Sequence, residues 1–367
     1  MMAPVPMQAA GEPPAIEPSA RAAKPRVEWV DYAKGICIFF VVMLHANGIT
    51  QERMREIGWL EEVVEFARPF RMPDFFLIAG LFLASALRRP WRRYLDTKVV
   101  HFFYFYLLWM TLRFLVVDLD NLVRADGATA HGVVLVYLRR WIDPIGTLWF
   151  IHMLPIFFVV TRLLRSVPPW GMWLGAAALH SAQIATEWTV IDNFASRYVF
   201  FYSGYVLAPH IFRIAAWAHA RAGAALGYLL GWGVLNGLLV AAGWALLPGV
   251  SLALGYAGAL AVIFVAVMLS KLSWTGPLRY LGENSLVVYL GDFWVSRIAN
   301  RALALAIGDV GSLALATTVA SAIGTVLLWR VVMRTPGRFM YVRPRWLRLD
   351  DGPPPREQDG RRPLLAA

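Results

Sequence analysis

The chain has 367 residues, of which 58% are hydrophobic and only 16% charged, and its mean hydropathy is +0.53. That balance is too apolar for a soluble protein of this length, and apolar runs near membrane length recur from end to end, so the sequence predicts an all-α, polytopic membrane helix bundle. The formal net charge of +11 is no sign of a nucleic-acid partner, because most of the excess lies in a loop around Arg88–Lys98 and in the two ends of the chain, as the charge bias of membrane loops requires.

In chain order, residues 1–28 are rich in Pro and Ala, lack the apolar core of a cleavable signal, and read as a disordered cytoplasmic tail. A membrane domain over 29–335 follows. Its first apolar run, Gly35 to Leu44, is entered through Asp31 and Lys34 and ends on His45. Lys34 and His45 are eleven residues apart, which at about 100° per residue returns to nearly the same helix face, roughly 16 Å further along the axis. Asp31, three residues before Lys34, shares that face. An ionisable side chain in a membrane-length helix is costly to bury, so the stripe of Asp31, Lys34 and His45 is a candidate catalytic constellation. The single cysteine, Cys37, excludes an intrachain disulfide and reads as a small apolar residue of this helix.

About ten transmembrane helices can be drawn, at roughly 30–50, 72–88, 99–118, 146–164, 170–187, 196–213, 222–247, 251–270, 281–305 and 312–333. Alternate loops are basic: Arg88 to Lys98, Arg162 with Arg165, Arg213 with Arg221, and Lys271 with Arg279. The basic side is expected to be cytoplasmic, which puts both termini inside and His45 toward the outer face. Residues 131–145 are too short and too charged to span and suit an interfacial or re-entrant helix. Gly223, Gly227 and Gly231 recur every four residues and predict a close-packing helix face. Residues 336–367, with Arg338, Arg343, Arg345, Arg348 and a Pro-rich run, read as a second disordered, basic cytoplasmic tail.

Further polar residues fall within or beside these spans. Arg71 and Asp74 open the second span; they form either a local i,i+3 ion pair or the outer mouth of a cavity that holds His45. Trp149 and His152 lie in the outer half of the fourth span, as interfacial anchor and buried histidine on one reading and as substrate contacts on the other. Asn284 stands at the start of the ninth span, and Asp292 near its middle must be neutral, hydrated or paired, with Lys34, His45 and Arg297 as candidate partners. No two histidines have metal-ligand spacing, so no metal is expected. Neither a Gly-x-Ser-x-Gly elbow nor a phosphate-cradling loop is present, and a serine hydrolase and an ATP-driven pump lose their usual signatures.

Trp29-Val30-Asp31-Tyr32-Ala33-Lys34-Gly35-Ile36 leading to His45 resembles the first helix of the acyltransferase 3 family of integral membrane acyltransferases. Phe70 to Gly80, Leu148-Trp149-Phe150-Ile151, and Leu281 to Leu290 are similar to three further motifs of that family, in the same order over residues 29 to 335. The resemblance implies transfer of an acyl group, usually acetyl, from a cytoplasmic acyl-CoA to a hydroxyl of an envelope carbohydrate or glycolipid, at the bacterial inner membrane. It maps the family's catalytic histidine onto His45. It places Lys34 where arginine is usual, His101 at the end of a basic cluster made of Arg92, Arg93 and Lys98, and Asp292 where many members carry histidine. In that frame His45 is base or acyl acceptor. Asp31 steadies Lys34, and Arg92, Arg93 and Lys98 form a basic funnel for the anionic nucleotide. Arg71, Asp74, Trp149, His152, Asn284 and Asp292 are the candidate substrate contacts. A transporter or flippase of an envelope intermediate and a non-catalytic membrane scaffold are the rival readings.

Overall fold

A computed structural model describes residues 27–124, 129–144 and 146–349, and the regular structure among them is entirely helical. The helices include α1 (Glu28–Met54), α2 (Leu60–Ala67), α3 (Arg71–Gly80), α4 (Trp91–Asp118, with π-helical turns at Asp96–Val100 and Phe114–Asp118), α5 (Ala130–Ile142) and α6 (Trp149–Leu163). They continue with α7 (Pro169–Ser181), α8 (Thr189–Val206), α9 (Ala208–Ala220), α10 (Ala222–Ala241), α11 (Val250–Leu269), α12 (Gly276–Glu283), α13 (Ser285–Leu303) and α14 (Val310–Val332). Among the described residues six stretches are long and apolar enough to cross a membrane: α1, α4, Ala130–Leu163, α10, α11 and α14. A seventh is added if α8 and α9, bent by 75°, count as one broken span.

The remaining helices explain the distance from the ten spans drawn on the sequence. The second span is ten residues of α3 followed, after a break, by Leu83–Leu87, and the fifth is the 13-residue α7. The sixth, drawn over 196–213, runs across the bend at Leu207, where Pro209 in the first turn of α9 cannot continue the ladder and its ring would meet the carbonyl four residues back. The ninth is divided at Asn284 (φ −110°, ψ 24°), whose side chain donates to the Tyr280 carbonyl at 2.9 Å.

α1 is the central element. Glu28 and Asp31 in its first turn and Arg53 in its last complement the helix dipole, and it packs against α2, α3 and α11 to α14. Its crossing with α12 brings backbones together: a Cβ on Gly282 would lie 1.8 Å from the Asp31 carbonyl oxygen. Aromatic rings pack α3, α6 and α8 together, with Phe75 stacked on Phe150 at 4.5 Å and Phe157 against Phe76 and Phe201. α10 keeps an apolar outer face of Leu226, Leu230, Val234 and Leu238, suited to lipid. The sequence pattern there predicted close packing, but Gly223, Gly227 and Gly231 face open space. α5, with its exposed Val134, Leu135 and Leu138 and no buried residue, is a separate short helix ahead of α6.

Of the tail expected to be disordered over 336–367, residues 336–349 are described, and these pack on the bundle. Pro336–Met340 and Arg345–Leu347 form short 3-10 turns against α4. Tyr341 is fully buried beside Trp109, whose indole donates to the Met340 carbonyl at 3.0 Å. Arg343 donates to Asp96 Oδ2 at 2.8 Å in a buried pair. The apolar ring of Tyr341 and a charge partner on α4 hold this stretch, which a count of basic and breaker residues does not register. Residues 1–26 and 350–367 lie outside the described residues.

Candidate active site

His45 and Asp292 come together from α1 and α13. His45 Nδ1 lies 2.6 Å from Asp292 Oδ2, and the carboxylate is almost wholly buried. Its other oxygen, Oδ1, accepts from Ser296 Oγ at 2.6 Å and from Ser321 Oγ at 2.7 Å, so both oxygens are engaged. Of the three partners considered for Asp292, His45 is the one it meets, while Arg297 stacks on the Phe293 ring, 3.9 Å from its centroid. A carboxylate accepting from Nδ1–H fixes the imidazole as the tautomer whose Nε2 carries a lone pair. The network continues along the same seam: Asn300 Nδ2 donates to Thr50 Oγ1 at 2.8 Å, and Arg53 Nε donates to Asn300 Oδ1 at 2.7 Å.

A cavity of about 180 Å³ opens beside this pair. Its walls include Arg71, Phe75, Trp149, Phe150, Arg197 and Tyr289, together with His45 itself. It is larger than the single-water voids of an ordinary interior. Tyr289 shapes one wall: its hydroxyl accepts from the Phe150 amide at 3.2 Å and donates to the Thr147 carbonyl, pinning the turn before α6 to α13. That turn depends on Gly146 (φ +62°), where a Cβ would collide with the Arg113 guanidinium. The arrangement offers a hydrogen-bonded imidazole facing a pocket with cationic and aromatic walls.

Other candidate residues fall elsewhere. Arg71 lines the cavity, but Asp74 does not pair with it; the Asp74 carboxylate is buried within electrostatic reach of Cys37, and its Oδ1 has no hydrogen-bond partner. His152 lies outside the cavity lining, with Nε2 3.2 Å from the Trp141 carbonyl oxygen and its ring edge-on to Tyr106. Asn284 serves the break between α12 and α13.

At the other end of α1, Lys34 Nζ lies 3.9 Å from Asp31 Oδ1. Lys98, over the Phe158 ring, is within electrostatic reach of both Lys34 and Arg89. Arg92 is exposed and donates from Nε to the Leu349 carbonyl of the C-terminal segment; Arg93 is exposed on the same turn. The stripe of three is therefore divided: Asp31 and Lys34 join a basic cluster at one end of the bundle, and His45 joins Asp292 and the cavity. Sequence reasoning missed Arg197, Tyr289, Ser296 and Ser321. Arg197 was open to the argument that singled out His45, a charge beside an apolar run; the two serines carry no such signal.

The fold and its polar seam define a multi-pass helical membrane protein with a histidine held by a buried carboxylate. Residues 27–333 match the acyltransferase domain model, and the chain belongs to the acyltransferase 3 family of membrane acyltransferases. It is 24% identical over 325 residues to the nodulation protein NolL of Mesorhizobium japonicum, covering 81% of this chain and 83% of that one. It is also 28% identical over 184 residues to NolL of Sinorhizobium fredii, covering 49% of this chain and 48% of the relative. A third match, 27% over 156 residues, is to the inner membrane protein YcfT of Escherichia coli K12, covering 37% of this chain and 43% of the relative. The chain thus spans about half the length of two of these relatives. No solved structure matches.

Proposed function

We propose that this acyltransferase moves an acyl group, acetyl in the first instance, from a cytoplasmic acyl-CoA to a hydroxyl of an envelope carbohydrate or glycolipid at the bacterial inner membrane. The observation that carries the reading is the His45–Asp292 pair at the edge of the cavity. Asp292 orients the ring through Nδ1 and stabilises the imidazolium that forms, leaving Nε2 to take the acceptor's proton. The hydroxyl oxygen then bonds to the thioester carbonyl carbon, the carbon–sulfur bond breaks, and the imidazolium returns its proton to the departing thiolate. His45 is the catalytic residue and Asp292 its positioning partner.

The donor enters from the opposite end of α1, with the N-terminal side of the chain in the cytoplasm. Lys34, Lys98 and Arg89 supply positive charge there for CoA phosphates, and Arg92 and Arg93 extend it outward. About 16 Å of helix separates Lys34 from His45, a span for the extended thioester arm to cover. The acceptor occupies the His45 cavity, between Trp149 and Arg71.

Transfer of label from radiolabelled acetyl-CoA into membrane material, measured in vesicles, tests the proposal. Wild-type protein is expected to transfer label and His45→Ala to lose about 10²- to 10⁴-fold in rate, the usual contribution of a positioned base. Full activity in His45→Ala would refute it.

A further inference from the structure

Two guanidinium groups line the cavity that holds His45: Arg71 from α3 and Arg197 from α8. Arg71 is 7% exposed; its Nη1 donates to the Val64 carbonyl at 3.3 Å, and its Nε has no hydrogen-bond partner. Arg197 likewise has an unpartnered, buried Nε. Among the described residues no carboxylate lies within ion-pairing distance of either. Nearby acids are held by other groups: Glu65 by Arg68 at 3.0 Å, Glu61 by Asn47 and Gln51, and Asp292 by His45. The two arginines also feel one another's charge. Glu65 and Glu61 act on Arg71 only from beyond pairing distance; burying two like charges without a paired counter-ion is costly, and planar guanidinium donors with spare N–H groups match a phosphate or carboxylate.

We propose that Arg71 and Arg197 bind an anionic group, a phosphate ester or a carboxylate, carried by the saccharide acceptor, and that this grip presents the acceptor's hydroxyl to His45. The proposal rests on the reading above that the cavity receives the acceptor, and it names that acceptor's chemical class. A neutral acyl thioester brings no negative charge to His45, and the phosphates of its CoA are met at the Lys34 end. Aromatic walls from Phe75, Trp149 and Phe150 suit the faces of a sugar ring, while the arginines fix its charged end. Neutral saccharides are then poor acceptors.

The test is calorimetric titration of the full chain in phosphatidylcholine nanodiscs with glucose 1-phosphate, glucuronate, glucose and CoA. At least one of the two anionic sugars is expected to bind and glucose to bind far more weakly. Arg71→Gln and Arg197→Gln should each weaken that binding by about 10- to 100-fold, the usual cost of a charge-assisted contact, and leave CoA affinity unchanged. Arg197→Lys, which keeps the charge and loses the planar fork, should weaken it by a smaller factor and carries the test if the glutamine variant does not fold. A wild-type chain that binds the anionic sugar yet transfers no acyl group counts against the reaction and not against this site. The proposal is overturned if neither anionic sugar binds, if glucose binds equally well, or if the folded arginine variants keep wild-type affinity. It is overturned too if those variants lose CoA instead, which assigns the site to the donor, or if phosphatidylglycerol in the nanodisc displaces the sugar, which assigns it to lipid.

Discussion

The two ends of α1 hold charge in opposite ways. At the Glu28 end cations meet carboxylates of the protein itself: Lys34 lies beside Asp31, and Arg343 pairs with Asp96. At the cavity end one carboxylate, Asp292, is committed to His45, and Arg71 and Arg197 face the pocket with unpartnered nitrogens. A buried pair such as Arg343–Asp96 contributes to the fold, whereas guanidinium groups aimed into a cavity are available to a ligand.

The sharpest way to break this contrast is Asp292→Asn. If the carboxylate orients and charges the imidazole, kcat falls by about 10²- to 10⁴-fold while KM for acyl-CoA stays constant in initial-rate measurements. A raised KM with normal kcat would move Asp292 into the donor region. Asp96→Ala acts on the opposite end. It strands a buried guanidinium and should cost about 3–5 kcal/mol in thermal unfolding. No change in the unfolding midpoint would mean that the C-terminal segment is not held by this pair.

Gly282→Ala is expected to cost about 1–3 kcal/mol, since its Cβ has to displace the Asp31 carbonyl at the α1–α12 crossing. Because Lys34 stands on that turn, a rise in KM for acyl-CoA should accompany the loss, and kcat should hold. Ser321→Ala is the mildest change, removing one of two donors to Asp292 Oδ1. Its effect should be about 1 kcal/mol, read as a roughly tenfold or smaller fall in kcat. A loss equal to that of Asp292→Asn would make the serine part of the reacting group.

Much of this architecture can be read from residue order. Hydropathy marks α1, α4, α10, α11 and α14 because their length and composition are dictated by lipid. Breaks are harder to see: Pro209 and the polar Gly282-Glu283-Asn284-Ser285 run mark two of them, but each falls inside a run long enough to be drawn as one span. His45 and Asp292 both stand out as costly groups, yet their pairing joins positions 247 residues apart, and helical periodicity cannot supply that distance. Periodicity instead favoured Lys34 as companion of His45. They share a face of one helix but not a site, because eleven residues of rise put them at different depths. Ser296 and Ser321 are invisible to any argument from cost, since an isolated serine is inexpensive until a carboxylate is placed beside it. The C-terminal segment was masked in the same way, its composition resembling a tail while Tyr341 and Arg343 tie it to α4.

The most direct test of the central claim, that His45 in the cavity transfers an acyl group to an envelope molecule, is mass spectrometry of envelope glycans and lipids from cells that lack the protein and cells that regain it. Wild-type protein should restore a discrete acyl mass on one species, and His45→Ala, present in the membrane at the same level, should leave that species unmodified. Restoration of the same mass by His45→Ala would contradict the account.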